Sequence, residues 1–226
     1  LSLSVLIDPG HGGADDGCMW PPFVDPQPAG LDGDALAAWK SGRKQRLIDH
    51  KARAEVLEDA TALGIAKQVA LSLHGLPVAC ELTRYEDEPL SLGQRAVLAQ
   101  KFAADLVISI HLNAHELTSM HGADLFHLPG DIDAARIAKE IASKMPMKVW
   151  TGRIHATAPL PDWRGRAHNV LEPHRELHGK PALLVECCYL TNDGDRAYVQ
   201  TEWGRAAIVG AIRAGICRFG EMKQAA

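Results

Sequence analysis

The sequence predicts a single α/β domain, a sheet with helices on both faces. Two observations carry that prediction. Short continuous apolar runs alternate along the chain with stretches whose apolar residues recur at helical spacing, the pattern of strands joined by helices. Three of those runs also lead into chemically capable side chains: Val5-Leu6-Ile7 runs through Asp8-Pro9-Gly10 to His11, Leu106–Ile110 ends on His111, and Ala182–Val185 ends on Glu186. In open α/β sheets ligands gather beyond the carboxyl ends of strands. At 226 residues the chain is long enough for a well-buried core and within the range of one domain.

Residues 3–7 read as the first strand, running into a turn rich in glycine at Gly10, Gly12 and Gly13. From about residue 16 to residue 50 the composition shifts. Trp20-Pro21-Pro22, Pro26, Pro28, Gly30, Gly33 and Gly42 punctuate the stretch, and only Asp34–Lys40 suits a short helix, so it reads as an insertion. Ala52–His74 has helical spacing, with Leu63, Ala66, Ala70 and Leu73 on one stripe. Val78–Thr83 is the next strand, and Ser91 caps a helix carrying Leu92, Arg95, Ala96, Ala99 and Phe102. That helix feeds the strand Asp105–Ile110. A short strand, Ala123–Leu128, precedes a helix over Ile132–Met145 that Pro146 stops. Loop composition holds from Lys148 to about Lys180, followed by the strand Ala182–Glu186 and a last helix from Glu202 to about Arg218.

Composition narrows the partners. With 46% hydrophobic residues, 23% charged residues and a formal charge of −4, the chain lacks the basic excess that tracks phosphate backbones, so nucleic acid is not an expected partner. No apolar stretch approaches the length of a membrane span. The five cysteines are odd in number and show no CxxC spacing, which argues against a disulfide framework.

Catalytic zinc takes three protein ligands and leaves a fourth position for water. His11 and His111 supply two. The third is expected from a carboxylate near the start of the Ala52–His74 helix, which offers Glu55, Glu58 and Asp59. Glu58 lines up with Ala62, Ile65 and Val69 on one face, which sets it on the first turn above a core-facing stripe. Glu186 is then left as the general base, taking a proton from the attacking water and passing it to the leaving nitrogen. Any one of these residues alone has a blander reading, as a surface histidine or a solvated strand end.

Taken together they resemble a family. Asp8-Pro9-Gly10-His11-Gly12-Gly13, Thr83-Arg84 with Asp87, Leu92 with Arg95, Ser109-Ile110-His111-Leu112-Asn113 and Pro181–Glu186 with Leu190-Thr191-Asn192 follow in order. They look like the motifs of zinc-dependent N-acetylmuramoyl-L-alanine amidases of the amidase-3 class, over residues 3 to about 218. The resemblance implies one zinc ion held by His11, Glu58 and His111. It favours Glu58 over Glu55, because Leu63 and Ala66 stand at the family's spacing behind it. It makes Glu186 the catalytic acid/base, and the substrate peptidoglycan or its muropeptides, cut between N-acetylmuramic acid and L-alanine. It also implies a twisted, mostly parallel sheet. Work on the cell wall then means action in the periplasm or outside the cell, by a mature or trimmed secreted enzyme or by a phage-type lysis enzyme. The alternatives are a zinc peptidase cutting within the stem peptide and an inactive peptidoglycan-binding protein.

The sequence departs from the family in two places. Between His11 and Glu58 the link is much longer than usual, and Trp20, Phe23 and Trp39 in it could offer flat apolar faces to substrate. Asn113, beside His111, is a further candidate substrate contact. Two positions after Glu186 stands Cys188 in place of the family's glycine; regular alternation would turn it the same way as Glu186, but a free cysteine is more often a small buried hydrophobe, and packing is the expected role. Between His111 and Glu186 no extra helix of the blocking kind is evident, so activity is expected to be constitutive.

Overall fold

The computed structural model describes residues 3–15, 17–21, 27–149, 154–156 and 170–225. Phe23 lies outside them. Six strands form one sheet in the order β4(Val78–Leu82), β1(Leu3–Pro9), β5(Leu106–Asn113), β8(Ala182–Tyr189), β6(Asp124–His127), β7(Ile154–Ala156). β1 pairs in parallel with β4 and β5, and β5 with β8, while β6 runs antiparallel to β8. The three central strands are sunk on both faces, and for that reason they read as mostly apolar runs rather than as alternating ones.

Alternation along those strands divides the core in two. On one face Val5, Ile7, Ile108, Ile110 and Val185 meet the buried stripes of α3(Glu58–Ser72), α5(Ile132–Lys144) and α8(Glu202–Gln224). On the other, Leu6, Val107 and Ala182 meet Ala99 of α4(Leu92–Phe102) and Leu171 of α6(Leu171–His178). Each fully buried aliphatic side chain contributes about 1.5–3 kcal/mol by leaving water. Polar side chains fix where the helices start. Ser91 accepts from the Gln94 amide (3.3 Å) while Gln94 Oε1 accepts from the Ser91 amide (2.8 Å), a closed capping box for α4. Asp131 caps α5 through the Ala134 amide at 2.9 Å, and Thr201 caps α8 through the Gly204 amide at 2.9 Å.

Several elements differ from the sequence reading. The helix expected from Ala52 begins at Glu58, because Val56–Leu57 (β3) first pairs antiparallel with Met19–Trp20 (β2). Between these two strands lie α1(Gly33–Ser41), matching the short helix expected there, and an unforeseen second helix, α2(Arg43–Lys51). Highly polar, α2 has no apolar stripe long enough to betray it. The stretch expected as loop from Lys148 to Lys180 holds β7 and α6, residues 150–153 and 157–169 of it lying outside the described ones. α7(Asp193–Gln200), capped by Asn192 through the Asp195 amide at 3.1 Å, was also missed, being only eight residues long.

One detail of strand register bears on the site and accounts for the expected packing of Cys188. The β5–β8 register shifts between His111 and Asn113: His111 pairs with Glu186 but Asn113 pairs with Tyr189, so β8 carries one extra residue. Alternation breaks there. Cys187 and Cys188 are both buried in the α3/α5/α8 core, so Cys188 packs rather than following Glu186.

Candidate metal centre

Three side chains from three elements meet at the carboxyl ends of the strands. His11 comes from the turn after β1, Glu58 from the first turn of α3 and His111 from β5. One ligand atom from each lies within 4.8 Å of the other two. His11 Nε2 is 3.1 Å and His111 Nδ1 is 2.9 Å from the same oxygen, Glu58 Oε1. The edge of a tetrahedron with arms of about 2.0–2.1 Å is about 3.3–3.4 Å, so the donor set fits a zinc-sized cation with little movement. In the metal-free protein each imidazole must carry a proton toward that one oxygen, an arrangement that a divalent ion would replace.

The backbone brings them this close. Gly10 has no Cβ, and one placed there would lie 2.2 Å from His111 Cε1. Gly17, with φ +66, would put a Cβ 2.3 Å from Glu58 Oε2. His11 itself has φ +57, in the left-handed region that a non-glycine residue enters only when its surroundings hold it there. Glu58 stands at a helix N-terminus, where negative charge is favoured. It accepts from the Cys18 amide at 2.7 Å through Oε2 and from the Leu112 amide at 3.1 Å through Oε1.

The electrostatics follow from burial and charge. Burial works to raise Glu58, but its hydrogen bonds and charge pairing with His11 and His111 outweigh that and hold its carboxyl well below the usual range. Burial works to lower His11, yet Asp15 and Glu58 push it up to about 10. Asp15 Oδ2 is 3.0 Å from His11 Nδ1, close enough to pair in charge but off the line of a ring N–H hydrogen bond.

Glu186 completes the set. It is the registered neighbour of His111 across β5–β8, and its Oε2 is out of solvent without a hydrogen-bond partner among the described residues. Burial, then the negative charge of Glu58, raises its carboxyl well above the usual value. Asp124 adds to the rise and His11 opposes it. A carboxyl held in this way binds its proton more tightly than an ordinary carboxylate does.

The other sequence candidates sit differently. Both ends of the Asn113 amide are engaged within the protein, Nδ2 on Asp124 at 3.3 Å and Oδ1 on the Ala114 amide at 2.8 Å. Trp20, on the β2–β3 ribbon, lies under the Arg196 guanidinium at 3.9 Å. Trp39, on α1, lies under Arg46 at 4.6 Å, and α1 buries none of its residues.

Sequence reasoning missed the supports. Asp15, four residues after His11, carries only an i, i+4 signal. Cys18, whose Sγ donates to the Leu112 carbonyl at 3.1 Å, carries none. Asp124, beside Glu186 in register and bonded by the Tyr189 hydroxyl at 2.5 Å, looks in sequence like a strand-edge acid.

The N-acetylmuramoyl-L-alanine amidase family profile, Amidase_3, matches residues 5–218. Among curated relatives, the N-acetylmuramoyl-L-alanine amidase AmiA of Salmonella typhimurium is 24% identical over 249 residues, covering 95% of this chain and 75% of its own length. The amidase LytC of Bacillus subtilis is 26% identical over 195 residues, covering 85% of this chain but 30% of its own. The solved catalytic domain of CwlV, an N-acetylmuramoyl-L-alanine amidase from Bacillus (Paenibacillus) polymyxa var. colistinus, superposes with TM-score 0.68 at 22% identity, covering 97% of this chain and 98% of that one. An N-acetylmuramoyl-L-alanine amidase from Clostridium difficile 630 does so with TM-score 0.68 at 23% identity, covering 97% of each. At these identities the structural likeness speaks to the fold.

Proposed function

The chain belongs to the N-acetylmuramoyl-L-alanine amidase family Amidase_3 and is an enzyme of that kind acting on peptidoglycan, and from that premise we propose a zinc hydrolase in which His11, Glu58 and His111 hold one ion and Glu186 moves the proton. The observation that carries the proposal is the meeting of His11 Nε2 and His111 Nδ1 on Glu58 Oε1, each within about a tetrahedral edge of it, with one ligand atom of each residue within 4.8 Å of the others. When bound there, zinc supplies a Lewis acid for the scissile carbonyl and makes water easier to deprotonate.

The chain's own groups do the rest. Glu58, buried and doubly held by backbone amides, keeps its charge and its orientation. Glu186, next to His111, accepts the proton of the attacking water as the oxygen–carbon bond forms at the lactyl carbonyl. The carbon–nitrogen bond then breaks, and the same carboxyl returns the proton to the departing nitrogen of L-alanine. A lactyl carboxylate and a free amine result. The raised proton affinity of Glu186 suits both halves of that exchange, since an ordinary carboxylate is too weak a base to take the proton readily at neutral pH.

Residues 16–50 are proposed as an insertion whose two ends root beside the centre: Cys18 donates to Glu58, and Trp20 pairs with Val56. Segments so placed are disproportionately functional. Among the described residues no helix is long and apolar enough to cross a membrane. Metal analysis of His11→Ala and His111→Ala tests the ligand set, because near-full zinc occupancy in either variant removes that residue from it.

A further inference from the structure

Of all the large side chains in the core, Arg84 is the least expected, since a guanidinium is costly to take out of water unless its donors are met. All its observed hydrogen bonds go to backbone carbonyls. Nε donates to Pro9 O at 3.2 Å, Nη1 to Glu86 O at 3.0 Å, and Nη2 to both Gly10 O at 2.7 Å and Asp59 O at 2.8 Å. Gly10 precedes His11, and Asp59 follows Glu58. One nitrogen atom therefore ties the turn that carries one candidate ligand to the helix that carries another.

A second buried guanidinium works on the same turn. Arg95 donates to Pro9 O at 2.8 Å and His11 O at 2.7 Å, and pairs with buried Asp8 at 2.6 Å. Asp8 is held in turn by Thr83 at 2.6 Å and Ser109 at 2.8 Å. Between them the two arginines take up three successive carbonyls, Pro9, Gly10 and His11. This is the stretch that passes against the His111 ring and holds His11 at positive φ. Gly12 lies against the Arg84 side chain as well, where a Cβ would approach Nε to 3.1 Å. The difference between the two is geometric: of the pair, only Arg84 bonds the Glu58 helix.

We infer that Arg84 is a positioning residue for the metal centre, setting the His11–Glu58 spacing through Gly10 O and Asp59 O before any ion arrives. The inference rests on the reading of His11, Glu58 and His111 as ligands. Lysine at this position keeps the charge but offers one nitrogen on a flexible stem in place of a planar fork, so it cannot span both carbonyls and Pro9 together.

The test uses Arg84→Lys and Arg84→Gln, with Arg213→Lys as a control, since Arg213 reaches Ser72 O away from the site. Zinc affinity is measured by competition with a chromophoric chelator well below each variant's melting temperature, so that loss of stability alone leaves the reading unmoved. The expected result is a dissociation constant raised about 10- to 100-fold in folded Arg84 variants, with kcat reduced more than KM is raised, and no change in the control. Folded Arg84 variants that bind zinc as wild type does would overturn the inference. Should neither variant fold, the wild-type protein decides it: the Arg84 Nε–H resonance is expected to be present and slow to exchange without metal, and to move little when zinc is added. A resonance that forms only with zinc overturns it. Wild-type protein that takes up no zinc at all refutes the ligand reading, a distinct outcome from wild-type uptake that the Arg84 variants share.

Discussion

Replacing Gly10 with alanine adds one methyl group against the His111 ring. The new Cβ would stand 2.2 Å from His111 Cε1 and 2.5 Å from each ring nitrogen, where ordinary contact begins at 3.4 Å. The backbone has little room to retreat, because the Gly10 amide donates to Ile110 O at 2.9 Å and its carbonyl accepts from Arg84 at 2.7 Å. Gly10 is not among the residues with positive φ, so alanine meets no backbone penalty of its own. The ring must withdraw by roughly 1.2 Å, against a tolerance of about 0.5 Å for a working constellation. A misplacement of about 1 Å costs on the order of a hundredfold in rate. We expect Gly10→Ala to lose about that factor in kcat/KM and to bind zinc more weakly, with the metal-free protein destabilised by about 1–3 kcal/mol from overpacking. Thermal melts of the metal-free form, chelator competition and turnover of purified peptidoglycan measure the three. Wild-type zinc affinity together with turnover within a few-fold of the parent would refute the close packing of Gly10 on His111.

Other outcomes follow from the same geometry. Glu186→Gln is expected to keep its fold and zinc but lose about two to four orders of magnitude in hydrolysis, and near-normal turnover would assign the base elsewhere. The same substitution should raise the melting temperature of the metal-free protein at neutral pH. Burial, Glu58 and Asp124 make the folded state hold the Glu186 proton more tightly than the unfolded chain does, so this group's stabilising contribution is complete below about pH 4.5 and is lost as pH rises through its raised value. A stability advantage of the Glu186→Gln variant that grew toward acid would contradict that sign. Since His11 is held up at about 10 without metal, zinc uptake near pH 7 should release about one proton on its account. Calorimetry in two buffers of different ionisation heat checks this, and uptake without proton release contradicts it. Replacing residues 22–52 with a short Gly/Ser link spares the β2–β3 ribbon, and it should raise KM for polymeric peptidoglycan while zinc content holds. A shortened enzyme that digests cell walls as well as its parent would make the segment dispensable.

The central strands were legible because burial on both faces leaves them mostly apolar, as in Leu106–Ile110, where Ser109 is the one polar residue. The stripe of Glu58, Ala62, Ile65 and Val69 likewise announced which face of α3 is buried, and the structure buries those four residues. What stayed hidden depends on contacts distant in sequence or on weak local signals. α2 is too polar to show a core-facing stripe, and α7 is too short. The register shift that turns Cys188 into the core is a property of two paired strands, not of one sequence. Of the site, His11, Glu58, His111 and Glu186 could be named because each closes an apolar run or heads a stripe. The roles of Arg84, Arg95 and Asp124 could not, since the partners that define them lie 11 to 87 residues away. Asn113, expected as a substrate contact, has both ends of its amide bonded within the protein, which the sequence alone does not disclose.

The most direct measurement is mass spectrometry of purified peptidoglycan digested by the zinc-loaded enzyme, run beside Glu186→Gln and a chelated sample. The account predicts stem peptides released with a free amino group on L-alanine, glycan strands without new reducing ends, and neither change in the two controls. New reducing ends, cuts confined to bonds between amino acids, or undiminished release by Glu186→Gln would contradict it.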